Sequence, residues 1–150
     1  MRERACAIVL SENKLMFMKQ VAHGKTHRVF VGGAIEDGET SEQAILREIM
    51  EEANVDAQIL FGPVIVDEFH NNHVFVVDIA RQIPTIGYDP ELPVDKQVLK
   101  GIEWADITDN LCVFNEIDMK FVSKILSEAR NQGINARWME KLKKASGETT

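Results

Sequence analysis

Cysteine is scarce in this chain. Cys6 and Cys112 are the two it carries among 150 residues. They lie far apart, match no zinc-ligand spacing and support no disulfide framework, so a reducing cytosol is the expected home. Long hydrophobic runs are missing too. ACAIVL, residues 5–10, gives way at once to Ser11-Glu12-Asn13-Lys14, too short a run for a signal peptide or a membrane span. Positive charge is outnumbered: 17 Lys and Arg stand against 24 Asp and Glu, a net −7. That balance argues against nucleic-acid polymers and anionic membranes as partners. It leaves room for an anionic small molecule, because a bound divalent cation reverses the local charge. Proline is sparse and uneven. Pro84, Pro90 and Pro93 all fall within residues 81–98, which reads as a long irregular loop of the kind that often carries function. No repeat, low-complexity run or linker interrupts residues 1–150, and the length suits one domain with a real core.

What is present is an alternation of apolar segments and turn signals. Residues 5–10 and 15–19 predict a β-hairpin. Residues 20–27 read as a polar loop around Gly24, and residues 28–31 as a short strand ending in Gly32-Gly33. After the Asp37-Gly38 turn, Thr40 or Ser41 caps a helix, with Thr40-x-x-Gln43 fitting a capping box. That helix runs to about Ala53, where Asn54 is a candidate left-handed terminator. Strands follow at 56–66, 73–80 and 101–107, then an amphipathic helix over 115–132 in which Ile117, Phe121, Ile125 and Ala129 recur. Residues 135–145 predict a last basic helical stretch covering the sheet or meeting a second copy. This order predicts an α/β (α+β) fold, a mixed sheet between helices.

The central helix is unusual in its charges. On a wheel of about 100° per residue, Glu48, Glu51 and Glu52 fall within an arc of about 100°. Ile45, Ile49, Ala53, Leu46 and Met50 form an apolar arc beside it, and Ala44 on the acidic side leaves room for an approaching group. Like charges three and four apart cost a helix about 0.2–0.5 kcal/mol each, and Arg47 alone opposes them. Such a face is either a solvated acidic surface or a set of hard oxygen ligands for Mg²⁺ or Mn²⁺.

The frame around the face decides between them. Gly33, then Glu39, then Arg47-Glu48-Ile49-x-Glu51-Glu52-x-Asn54-Val55 resembles the Nudix box across residues 33–55. Asn54 stands where that family has glycine, a mild departure because asparagine also adopts the left-handed cap. The family's proline before the paired glycines is also missing, since Phe30-Val31 precedes Gly32. The resemblance implies a Nudix-like α/β/α sandwich and a Mg²⁺-dependent pyrophosphohydrolase (Mn²⁺ an alternative ion) that cleaves a nucleoside diphosphate linkage by water attack. It implies Gly33, Glu48, Glu51 and Glu52 as metal ligands, with Glu39 accepting a bidentate bond from Arg47. Glu103, before Trp104, is a further ligand or base by the same analogy. Glu48 or Glu52 could be the base instead.

Other residues read less sharply. Lys25, Arg28 and Gly32 are candidates for phosphate contact, against solvated loop charges for the two cations. His70 and His73 flank Asn71-Asn72 in an expected hairpin turn. Phe30, Phe69 and Phe75 read as core rather than base-stacking residues, and Trp104 and Trp138 as packing. Some Nudix subclasses carry a proline or tyrosine near residues 70–73; its lack here disfavours ADP-ribose and dinucleoside polyphosphates. The loops at 20–28 and 81–98 are the expected seat of specificity. A homodimer is the family expectation. The competing functions are a non-catalytic nucleotide sensor on the same fold, and a structural protein with an acidic helix.

Overall fold

The structure is a computed structural model describing residues 2–87, 99–107 and 114–147. Cys112 and residues 88–98 of the expected specificity loop lie outside the described residues. Among the described residues the elements follow in this order: β1 (Glu3–Ser11), β2 (Lys14–Ala22), β3 (Lys25–Val29), β4 (Val31–Ala34), α1 (Ser41–Ala53), β5 (Gln58–Glu68), β6 (His70–Asp78), β7 (Leu99–Asp106), α2 (Glu116–Asn131) and α3 (Arg137–Ala145).

The strands form one mixed sheet in the order β3-β2-β1-β6-β5, with β4 also pairing β1 and β7 also pairing β2. Among the described residues only β1 with β6 is parallel, in the register Ala5↔His73 and Ala7↔Phe75. β1 is apolar and buried from Ala5 to Leu10 because both its faces are covered there. Its even residues Cys6, Ile8 and Leu10 join a core with Val74, Val76 and the buried faces of α2 and α3. Its odd residues Ala5, Ala7 and Val9 join a second core with Phe75, Val77 and α1. The result is the α/β/α sandwich with a mixed sheet between helices.

Local chemistry sets the helix ends. Thr40 and Gln43 complete the capping box on α1, and Asn54 takes φ 56° and returns its N–H to Met50. Asn115 caps α2 by accepting from the Asp118 N–H at 2.8 Å. The last helix buries Trp138, Met139, Leu142 and Ala145, with Trp138 against Phe61. Among the described residues no helix is long and apolar enough to cross a membrane.

Several expectations need correction. Residues 20–27 are not a loop: β2 runs to Ala22 and β3 starts at Lys25, joined by His23 and Gly24, both at positive φ. Two left-handed residues suit the twist of a tight hairpin. His70 to His73 are strand, not turn, and Phe69 at φ 62° makes the reversal. Asn72 is buried and donates to the carbonyls of Val66, Glu68 and His70. It closes the β5–β6 turn from inside. Phe69 is 77% exposed and Trp104 is 38% exposed, so neither is core.

Asp118 is a buried carboxylate that the sequence did not single out. Its Oδ2 has no hydrogen-bond partner among the described residues. Burial pushes its pKa up to about 6, with the Arg28 charge opposing the shift. The folded state therefore holds this proton more tightly than the unfolded chain, and stability falls as pH rises from about 4 through 6. Against an Asp118→Asn variant, the wild type should lose about 2 kcal/mol of stability over that window. Chemical denaturation at pH 4 and pH 7 measures it; an equal difference between the two proteins at both pH values would refute it.

Candidate active site

α1 presents a different face to the protein than its wheel suggested. Ala44, Ile45, Ile49 and Ala53 are buried, while Leu46 is 38% and Met50 42% exposed. The inward direction is thus rotated toward the acidic arc, and Ala44 fills core space rather than leaving room. Glu48 and Glu52 lie on the inward side with it, facing β4. Glu51 points outward, its side chain 57% exposed.

Gly32 and Gly33 receive them. Gly33 pairs with Ala5, and Gly32 with Cys6. Glu52 Oε2 accepts from the Gly32 N–H at 3.1 Å. A Cβ on Gly33 would come within 2.4 Å of Glu48 Oε1 and within 2.7 Å of Oε2. A side chain at position 33 would therefore displace the Glu48 carboxylate. Glycine at position 33 therefore serves this close approach and not a turn.

Arg47 locks the loop to the helix. Its Nε donates to Glu39 Oε2 at 2.7 Å and its Nη2 to Glu39 Oε1 at 2.9 Å, a bidentate fork. Nη2 also donates to the Ala34 carbonyl, and Nη1 reaches Glu48 at 2.8 Å and Glu51 at 3.2 Å. Both readings of Arg47, as clamp and as helix partner of Glu51, hold at once. The fork and the Glu36 N–H hold the Glu39 carboxyl down at about 2.

The inward carboxylates behave oppositely. Burial, then the neighbouring Glu48 charge, pushes Glu52 up to about 8. Burial raises Glu48 as well, although Arg47 opposes the shift. Two oxygen donors are therefore desolvated side by side without full compensation by protein cations. Their chemistry suits a hard divalent ion. Among the described residues, however, no three acidic, His or Cys side chains are close enough to form a finished metal cage. The glutamates divide between two donor groups: Glu52 leans on the Gly32 N–H, and Glu48 and Glu51 share Arg47 Nη1.

The remaining candidates lie apart from this cluster. Lys25 is exposed at the start of β3. Arg28 sits with its guanidinium carbon 4.4 Å from the centre of the Phe17 ring, which belongs to the core under α2 and α3. Phe17 in turn stacks on Phe30 at 5.3 Å. Glu103 lies on β7 directly opposite Phe17 and is exposed. Among the described residues no hydrogen bond or ion pair joins it to α1. Two contributors were not foreseen: the Gly32 N–H and the Ala34 carbonyl. Both are backbone groups, which side-chain identity does not reveal.

Comparison with known proteins agrees with this fold. The NUDIX domain model matches residues 1–123. No curated protein sequence matches the chain. Among solved structures, a NUDIX-family hydrolase from Clostridium perfringens is 16% identical, covering 94% of this chain and 95% of its own, with a TM-score of 0.56. A C. elegans Ap4A hydrolase in a binary complex is 13% identical over 97% of this chain and 96% of its own, at 0.57. A UDP-X diphosphatase is 16% identical over 86% of this chain and 64% of its own, at 0.61. At such identities the structures speak for the fold. With the domain match over most of its length and the glutamate-bearing helix locked to its glycine loop, the chain belongs to the Nudix family of hydrolases.

Proposed function

We propose that the protein is a Mg²⁺-dependent pyrophosphohydrolase that cleaves a diphosphate linkage in a nucleoside triphosphate or another nucleoside diphosphate derivative. The observation that carries this reading is the pair of desolvated carboxylates, Glu48 and Glu52, held against Gly32 and Gly33 with raised pKa values. A protein gains nothing in stability from burying two like charges together, so a ligand cation is the simplest reason to keep them. Neighbours named for Ap4A and UDP-X support a nucleotide substrate.

Glu48, Glu52 and the Gly33 carbonyl would hold the ion, joined by Glu51 once it exchanges Arg47 for the metal. Glu103 is a further candidate ligand from β7. Bound there, Mg²⁺ would neutralise the diphosphate and lower the pKa of water. The protein's own part is positioning. Arg47 fixes Glu48 and the Glu39 loop, and the glycines let the diphosphate approach the backbone. Lys25, Arg28 and Gly32 are candidate contacts for the substrate's phosphates. Water adds to one phosphorus as the bridging P–O bond breaks; its proton passes to Glu48, Glu52 or Glu103, and the bridging oxygen leaves with the second phosphoryl group.

One observation favours a second reading, a nucleotide sensor without turnover: Arg47 already holds the Glu48 and Glu51 carboxylates. A nucleotide panel with Mg²⁺ or Mn²⁺ separates the two. Release of phosphate or pyrophosphate from at least one nucleotide, abolished by a chelator, is the expected result. Binding by calorimetry with no hydrolysis across the panel would establish the sensor instead.

A further inference from the structure

The last turn of α1, which carries Glu51 and Glu52, is not closed by the helix alone. The Asn54 N–H returns to Met50 at 3.0 Å. The next carbonyls are met from elsewhere. The Gly87 N–H donates to the Glu52 carbonyl at 2.7 Å and the Thr85 N–H to the Ala53 carbonyl at 3.0 Å. A helix end leaves its final carbonyls without intrahelical donors, and here the segment after β6 supplies them.

Three side chains fasten that segment. The Asn54 amide donates to the Thr85 carbonyl at 3.1 Å and to Thr85 Oγ1 at 2.9 Å. Gln82 exchanges hydrogen bonds with the Asp56 backbone, accepting from its N–H at 2.9 Å and donating to its carbonyl. Gly87 lies so close to the helix that a Cβ would stand 1.8 Å from the Glu51 carbonyl oxygen. The segment 82–87 is therefore a strap across the end of the catalytic helix, in contact with the backbone of the two residues that bear its outermost carboxylates.

We propose that Asn54 is a positioning residue for Glu52. Through Thr85 it holds the strap on the last turn of α1 and so sets the depth and rotation of the Glu52 carboxylate against Gly32. The choice of asparagine is what makes this possible. Glycine at this position reaches φ 56° with less strain but donates nothing to Thr85. Asparagine ends the helix and ties it to the strap with one side chain. The inference rests on the metal-dependent reading of the site.

The test compares wild type with Asn54→Gly and Thr85→Ala, singly and together. Asn54→Gly keeps the left-handed cap, so it folds. Amide exchange at Thr85 and Gly87 should accelerate in each variant. The Mn²⁺ dissociation constant, read by calorimetry without substrate, should rise about tenfold, as for loss of groups that orient a metal ligand. In turnover, kcat should fall while KM for the nucleotide stays unchanged, and the double variant should be no worse than Asn54→Gly alone. If Asn54 is only a helix cap, Asn54→Gly binds Mn²⁺ and turns over like wild type, which overturns the inference alone. A wild type that neither binds Mn²⁺ nor hydrolyses any nucleotide overturns the functional reading, and this inference with it.

Discussion

Glu52→Gln should abolish nucleotide hydrolysis, with a loss on the order of 10³-fold or more, and should leave the fold intact. The amide is isosteric and can still accept from the Gly32 N–H through its oxygen. Removing the charge also removes the cost of burying it. The Glu52 pKa is raised from 4.5 to about 8 in the folded protein, chiefly by burial. Between those values the folded state binds more protons than the unfolded chain, so wild-type stability falls as pH rises through the window. The variant lacks that titration. Without added metal it should match or exceed the wild type, and the advantage should grow by roughly 2–4 kcal/mol from pH 5 to pH 8.5. Saturating Mg²⁺ should erase the advantage by stabilising the wild type alone. Thermal melts across pH, with and without Mg²⁺, read both effects. A variant that turns over like wild type under saturating Mg²⁺ would sink the assignment of Glu52 as a metal ligand.

Arg47→Lys should be the most damaging conservative change in the loop–helix lock. Lysine keeps the charge but cannot supply a planar fork. It would forfeit the paired bonds to Glu39 and could not also serve Ala34, Glu48 and Glu51. The expected loss is about 2–3 kcal/mol, or a fall in Tm of roughly 5–10 °C for a domain of this size. Glu39 supplies the pH signature. Its folded pKa is held at about 2, so its contribution is present above about pH 4.5 and lost as pH falls through about 2. Wild type and Arg47→Lys should therefore converge in stability under strong acid. A gap of unchanged size at pH 2 would mean that the lock is not electrostatic.

The parts of this site that the sequence revealed are those written in side-chain identity and fixed spacing. Thr40 with Gln43, Glu39 with Arg47, and Asn54 as a left-handed terminator all occupy their expected places because each depends on neighbours no more than eight positions away. The rotation of α1 was less legible. A wheel ranks Leu46 and Met50 with Ile45 and Ile49 by hydropathy, but the strand packed beneath decides which are covered. The close fit of Gly33 draws Glu48 inward, and Leu46 and Met50 turn out as a result. His70 to His73 failed for a related reason. Asn-Asn is a strong local turn signal, and it was overridden by pairing to β1 and by the three carbonyls that Asn72 satisfies. The reach of the strap to Asn54 joins residues 31 positions apart, and no local pattern announces such a bond.

The parallel pairing of β1 with β6 also bears on how the protein becomes competent. Glu3 and Asn71 are register partners separated by 68 positions, and α1 with its glycine loop lies wholly inside that interval. The β1–β4 ladder that carries the glycines is shorter, but Phe75 and Val77 reach the core under the helix only with β6. Helix α1 can form its turns early, but the core that fixes its rotation, and with it the depth of its two inward carboxylates, is complete only after this long loop has closed. Closing such a loop comes late and slows folding of mixed topologies. Cation affinity should thus be absent from early folding species and emerge with the native sheet, so the metal would act as a latch on a finished fold and not as a template for building it.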